Sequence, residues 1–253
     1  MRLLSLTTLT TLALACGSAM GATTLVFDNV TANIPTNFFS TSSTPNTFMG
    51  GGYTLSPGTV DITGFDLYPV NASGVNYTGL KINIFVWGSV NLGTVNNTTP
   101  AFGNLLASYT LTASGSFNTG FFFPFESATP GVTPGITLGS PLAIPSTTIG
   151  LSFNYQGTTD GVNYANANNL TSVIATGNPA NPGSEVFNGY YRNANSELNG
   201  NFTSTLRSLG LNNQTLAVRV YGDVVPVPEP TTAARVGLGS AALLIFRRRT
   251  VRC

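Results

Sequence analysis

The sequence predicts an all-β fold: an antiparallel two-sheet β-sandwich, jelly-roll-like, with a short hydrophobic helix near the C-terminus. Three observations carry this. Only 8% of the 253 residues are charged, against about a quarter in an ordinary globular chain, and the single lysine, Lys81, leaves little helix-forming material in the body. Several stretches alternate with period two, the repeat of a half-buried strand. Between them lie turn dipeptides: Pro57-Gly58, Pro130-Gly131, Pro134-Gly135, Asp160-Gly161 and Pro182-Gly183. A hydrophobic fraction of 42% is enough for a packed core.

Residues 1–22 have the layout of a secretory signal peptide: Arg2, an apolar and threonine-rich stretch, then small residues before Thr23. The domain that follows is expected over 23–224. Its strand candidates in order are "TTLVFDNV", "VDITGFDLYP", "LKINIFVWGSV", "NLLASYTLTASG", "GFFFPFES", "TIGLSFNYQG", "EVFNGYY" and "QTLAVRVYGD". In the third, Leu80, Ile82, Ile84 and Val86 share one face, and Lys81, Asn83, Phe85 and Trp87 the other. In the last, Arg219 is set against Leu216, Val218 and Val220. The stretch 160–183 reads as a long surface loop with one short strand, "LTSVIAT", and "STLRSLG" as a helical turn closed by Gly210.

Residues Thr23 to Pro226 hold four basic side chains (Lys81, Arg192, Arg207, Arg219) and eight acids, so this span carries 4 − 8 = −4. A mildly acidic body without a basic run offers no electrostatic footprint for nucleic acid. Histidine is absent, and the two cysteines, Cys16 and Cys253, fall in the terminal segments. That removes Ser–His and Cys–His nucleophiles and the preferred ligands of zinc, haem and iron–sulfur clusters. No glycine-rich phosphate loop follows a strand and opens a helix.

What remains is carboxylate chemistry. Asp61 and Asp66, five apart, tend to opposite faces of a strand. Glu185 and Glu197 are the pair a glycosidase would need, but eight acids in such a span approach each other readily by chance. No enzyme is expected. No catalytic residue and no resident cofactor are assigned. Calcium is the one metal with candidate ligands, the oxygens of Asp160, Asn163 and Asn166, although the twelve-residue EF-hand pattern is missing. Trp87, Tyr190, Tyr191 and Arg192 are the candidates for glycan contact, where an aromatic face beside hydrogen-bonding groups would hold a sugar ring. The plainer reading places Trp87 in the core.

The last segment, 225–253, has three parts. Val227-Pro228-Glu229-Pro230 is a stiff linker. Ala233 to Phe246 is apolar apart from Arg235, about 21 Å long as a helix and short against a bilayer core of about 30 Å. Arg247-Arg248-Arg249 is a positive flank of the kind found on the cytoplasmic side. This order resembles the PEP-CTERM sorting signal of exported proteins in bacteria that make extracellular polysaccharide. Arg235 inside the apolar run and "TVRC" beyond the arginines depart from it. The resemblance implies export, transient anchoring in the inner membrane, recognition by exosortase, and removal of the tail near Pro-Glu-Pro. It implies a mature protein at the cell surface or in a biofilm matrix, with extracellular polysaccharide as a partner. A carbohydrate-binding module of the same architecture is the alternative, and an extracellular glycan-cleaving enzyme the remote one.

Overall fold

A computed structural model of the chain describes residues 23–30, 48–90, 102–166, 170–172, 174–175, 180–186, 190–193, 205–207 and 215–225. Among these there are sixteen strands and no helix. The first eight are β1 (Thr24–Asp28), β2 (Phe48–Thr54), β3 (Asp61–Leu67), β4 (Pro69–Asn71), β5 (Tyr77–Val90), β6 (Phe102–Phe117), β7 (Ile136–Ala143) and β8 (Thr148–Thr158). Five short ones follow: β9 (Ala165–Asn166), β10 (Leu170–Ser172), β11 (Ile174–Ala175), β12 (Ser184–Glu185) and β13 (Tyr190–Asn193). The last are β14 (Thr205–Arg207), β15 (Thr215–Leu216) and β16 (Val218–Gly222).

Two antiparallel sheets dominate. The smaller has the order β1-β16-β3-β7; the larger runs β14-β13-β2-β8-β5-β6, with β12 beside β2 and β9 beside β8. Two-stranded pairs, β10-β4 and β11-β15, supplement them.

The alternation in the sequence builds the larger sheet as expected. Ile82, Ile84 and Val86 of β5 stand opposite Tyr155, Phe153 and Leu151 of β8, and Phe153 and Ile149 stand opposite Met49 and Tyr53 of β2. These side chains are buried and share one apolar cluster with Val26, Phe27, Ile62, Phe65, Val218 and Val220 of the smaller sheet. Phe27 meets Tyr53 edge-on, with centroids 4.9 Å apart and rings at 80°. Each such side chain contributes about 1.5–3 kcal/mol by leaving water, so the shared cluster is what holds the sheets together without a disulfide.

The opposite face of the larger sheet is also covered at its centre. Phe85, Trp87, Phe102, Ser152 and Asn154 are all buried there. The glycines of β2 and β8 make this possible. A Cβ at Gly50 would come within 2.6 Å of the Phe102 ring, and one at Gly150 within 2.5 Å. The ring therefore lies directly on the backbone, where only glycine leaves room.

Four expectations need correction. "GFFFPFES" is not a strand. Phe122 and Phe125 form isolated bridges to Val70 and Leu67 instead of a ladder: Phe123 N donates to Pro69 O, but Pro69 has no N–H to return to Phe123 O. Residues 205–207 are the strand β14, paired with β13, and not a helical turn; Gly210 lies outside the described residues. In the 160–183 stretch the strand expected over "LTSVIAT" is present as β10 and β11, but β9 is a further strand, and Leu170 and Ser172 are buried where a surface loop was expected. Finally β2, "FMGGGYT", is an interior strand of the larger sheet that the alternation did not announce.

Candidate functional site

Four of the described charged groups, Arg219, Asp28, Asp66 and Glu126, converge at one place. Arg219 stands on β16 between β1 and β3. Its neighbours in register are Asp28 on one side and Asp66 on the other. Nε lies 3.4 Å from Asp28 Oδ1, and one terminal nitrogen lies 3.4 Å from Asp66 Oδ2 and 3.1 Å from Glu126 Oε2. The same nitrogen donates to the Tyr68 hydroxyl, which donates to Glu126 Oε2 at 2.8 Å. The guanidinium also faces the Tyr68 ring, 5.7 Å from its centroid.

The carboxylates are held in turn. Asp66 Oδ2 accepts from the Tyr221 hydroxyl at 2.7 Å and Oδ1 from Gly135 N at 2.7 Å. The Tyr221 oxygen accepts from Gly131 N at 2.8 Å, and Asp28 Oδ1 from Val30 N at 2.7 Å. Burial opposes the charge of Arg219, but Tyr68, Asp28 and Asp66 outweigh it and raise the pKa further. Burial, reinforced by the hydrogen bond to Glu126, pushes the Tyr68 hydroxyl well above its ordinary range. Burial and Asp66 do the same to Tyr221.

This is an ionic lock. Asp66 is wholly buried, and Glu126, with its side chain 30% exposed, is the one carboxylate of the three open to solvent. It fastens β1, β3 and β16 to the 121–135 connection, and it presents no free acid–base pair to a substrate. Among the described residues no group of His, Cys, Asp and Glu has the geometry to hold a metal ion.

The residues singled out in the sequence fall elsewhere. Trp87 is 4% exposed, donates Nε1–H to Ser152 Oγ at 2.9 Å, and stacks on Phe102 with centroids 5.8 Å apart. It is a core residue of the larger sheet, so the exposed platform considered for it is not formed. Tyr190, Tyr191 and Arg192 belong to β13, where Tyr191 stands opposite Gly50; only their backbone is described.

Asp160 caps its own turn. Oδ1 accepts from Thr158 Oγ1 (2.7 Å), Val162 N (2.9 Å) and Asn163 N (2.8 Å), and Oδ2 accepts from the Asn163 amide at 2.7 Å. Asn166 Oδ1 instead accepts from Asn154 and Gln156. The Asp160 carboxylate and the Asn166 amide oxygen are thus engaged with separate donors.

Glu185 Oε2 accepts from Ala180 N at 3.1 Å, and Glu197 lies outside the described residues. Asp61 accepts from Asp223 N at 3.0 Å, apart from the Arg219 lock that holds Asp66. Val227, Pro228, Glu229, Pro230, Arg247, Arg248 and Arg249 lie outside the described residues. No helix among the described residues is long and apolar enough to cross a membrane.

A row of amides runs across the outer face of the larger sheet. Thr110 Oγ1 donates to Asn83 Oδ1 at 2.8 Å, Asn83 to Asn154 Oδ1 at 2.9 Å, and Asn154 to Asn166 Oδ1 at 3.2 Å. Beside it, Lys81 Nζ lies 4.6 Å from the centre of the Tyr164 ring.

The place where sequence reasoning missed most is Arg219. Its signal was a lone arginine between valines in "LAVRVYG", in a body with four basic residues. Comparison with protein-family models, with curated proteins and with solved structures found no match for this chain.

Proposed function

We propose that this chain is an exported, non-enzymatic protein of the cell surface or extracellular matrix, sorted and processed through its C-terminal segment. The observation that supports it best is the pairing of Thr24 with Gly222 across β1 and β16. The strands are antiparallel, so the chain enters the domain and leaves it at the same end. Val225 N donates to Gly58 O at 2.9 Å, and Val224 bridges Thr59. The fold is therefore closed two residues before Val227-Pro228-Glu229-Pro230. A signal segment before Thr23 and an apolar segment over Ala233–Phe246 would then both leave from one pole, as two segments held in one membrane require.

On this reading exosortase and the export machinery are the processing partners, the inner membrane is a transient anchor, and extracellular polysaccharide is the final surrounding. The jelly-roll-like winding and the helix over Ala233–Phe246 belong to the same proposal. Mass spectrometry of the protein from cells and spent medium tests it by fixing both termini. Glu229→Ala, or replacement of Arg247–Arg249 by alanine, is expected to leave uncleaved precursor in the membrane fraction. A protein found outside the cell with Cys253 still attached would overturn the sorting reading.

One observation favours a second reading, a carbohydrate-binding module. The amide row, from Thr110 through Asn83 to Asn166 and flanked by Lys81 and Tyr164, is buried at Asn154 and offers polar groups at its exposed ends, Thr110 and Asn166. A glycan array would decide it. Binding weakened at least tenfold by Asn83→Ala would support the module, and an empty array would remove it.

A further inference from the structure

We propose that two copies of this chain associate edge to edge through β6, extending the larger sheet across a two-fold axis. Strand β6 ends that sheet, and among the described residues its one strand partner is β5. None of residues 104–116 is buried, and eight of these thirteen are exposed. The outer edge of β6 therefore offers a row of backbone N–H and C=O groups to solvent, which is a template for another strand.

The other edges of the two sheets are blunted. Strand β1 has five residues, a bulge between Leu25 and Phe27, and Asp28 at its end. Strand β7 carries Pro141 and sits across a register shift between Ile62 and Gly64. Strand β14 has three residues and ends on Arg207. Shortness, charge, proline and bulges are the usual guards against edge pairing. Over Ala107–Ser114 strand β6 has none of them: it pairs Gly79–Val86 in unbroken register, and "ASYTLTAS" contains no charge, proline or glycine.

The occupant this edge fits best is itself. Ala107, Tyr109, Leu111 and Ala113 share the core face with Val86, Ile84, Ile82 and Leu80, and remain half-buried. Ser108, Thr110, Thr112 and Ser114 form an exposed hydroxyl row on the other face. A two-fold axis perpendicular to the sheet runs a second β6 antiparallel and keeps each face on its own side. Whether centred on Thr110 or on Leu111, apolar then meets apolar and hydroxyl meets hydroxyl, with no like charges opposed. Within Ala107–Ser114 either centre pairs seven residues of each copy and supplies about six to eight backbone hydrogen bonds. Because both copies use the same strand, the contact closes as a dimer and does not propagate. A strongly charged partner strand would gain nothing from an edge without charge.

The test is the mass of the full chain in a nonionic detergent, by size-exclusion chromatography with light scattering. The expected result is a dimer, halved in mass by Ser108→Lys/Ser114→Lys, which sets lysines on exposed positions of that edge. Thr137→Lys on the β7 edge should leave the dimer intact. Circular dichroism and the thermal midpoint must match the parent, and hydrogen exchange of the parent's β6 amides should slow as concentration rises. A parent that stays monomeric up to about 100 μM would overturn the proposal. So would a dimer that survives the double substitution, since association would then come from another surface, the terminal segments included.

Discussion

Arg219 and Asp66 face each other across β16 and β3, register partners whose side chains stand 3.4 Å apart in the interior of the smaller sheet. Asp28 completes the arrangement from the other flank. A single cation thus serves carboxylates on both neighbouring strands, and removing it leaves charges that water cannot reach.

Arg219→Ala should therefore cost about 3–5 kcal/mol, the usual consequence of stranding buried carboxylates. Chemical denaturation checks it. Tyr221→Phe, which takes a donor from Asp66 and an acceptor from Gly131 N, should cost less, about 1–3 kcal/mol. An Arg219→Ala loss below that of Tyr221→Phe would mean that the lock contributes little net stability.

The covered outer face gives a second expectation. Gly150→Ala forces a methyl group to within 2.5 Å of the Phe102 ring and should cost about 1–3 kcal/mol as overpacking. Shortening Phe102 to leucine relieves that contact, so Gly150→Ala should be milder in the Phe102→Leu background. A double-mutant cycle measures this coupling. Gly150 is the cleaner position, because a Cβ at Gly50 would also meet the Leu151 carbonyl oxygen at 2.9 Å. Strictly additive losses would show that Phe102 does not rest on Gly150.

These two features mark the limit of what the sequence shows. Strands β5 and β8 were legible because their side chains alternate and their own residues decide which face is buried. Strand β2 was not, because "GGG" carries no pattern; the ring that lies over Gly50 belongs to Phe102 on β6. Trp87 was legible as a core candidate because it sits on a well-patterned strand. The Arg219 lock was not, because its partner Asp66 is 153 residues away in the chain and Glu126 comes from an irregular connection. Pairing at that separation follows from topology, which local patterning does not encode.

Trp87 is the single tryptophan, so its fluorescence reports one site. Buried against Phe102 and bonded to Ser152, it should emit at short wavelength, resist acrylamide quenching, and shift to the red on unfolding. Ser152→Ala removes the acceptor of a buried N–H and should cost about 1–3 kcal/mol. Emission already red in the native protein, or ready quenching, would contradict the burial of this face.

Asp160 gives a pH expectation with a definite sign. The Thr158 hydroxyl, then the Asn163 and Val162 amides, hold its carboxyl well below the usual carboxylate range. A folded pKa below the unfolded one means that the turn is stabilised by the ionised form. That contribution is complete above the unfolded value, about 3.9, and is lost only as pH falls through the lower folded value. The amide resonances of Val162 and Asn163 should therefore stay fixed from neutral pH down past the ordinary aspartate midpoint and move only in stronger acid. Asp160→Ala should abolish that transition and speed hydrogen exchange at both amides. A midpoint at the ordinary aspartate value would mean that these donors do not hold the carboxylate in solution.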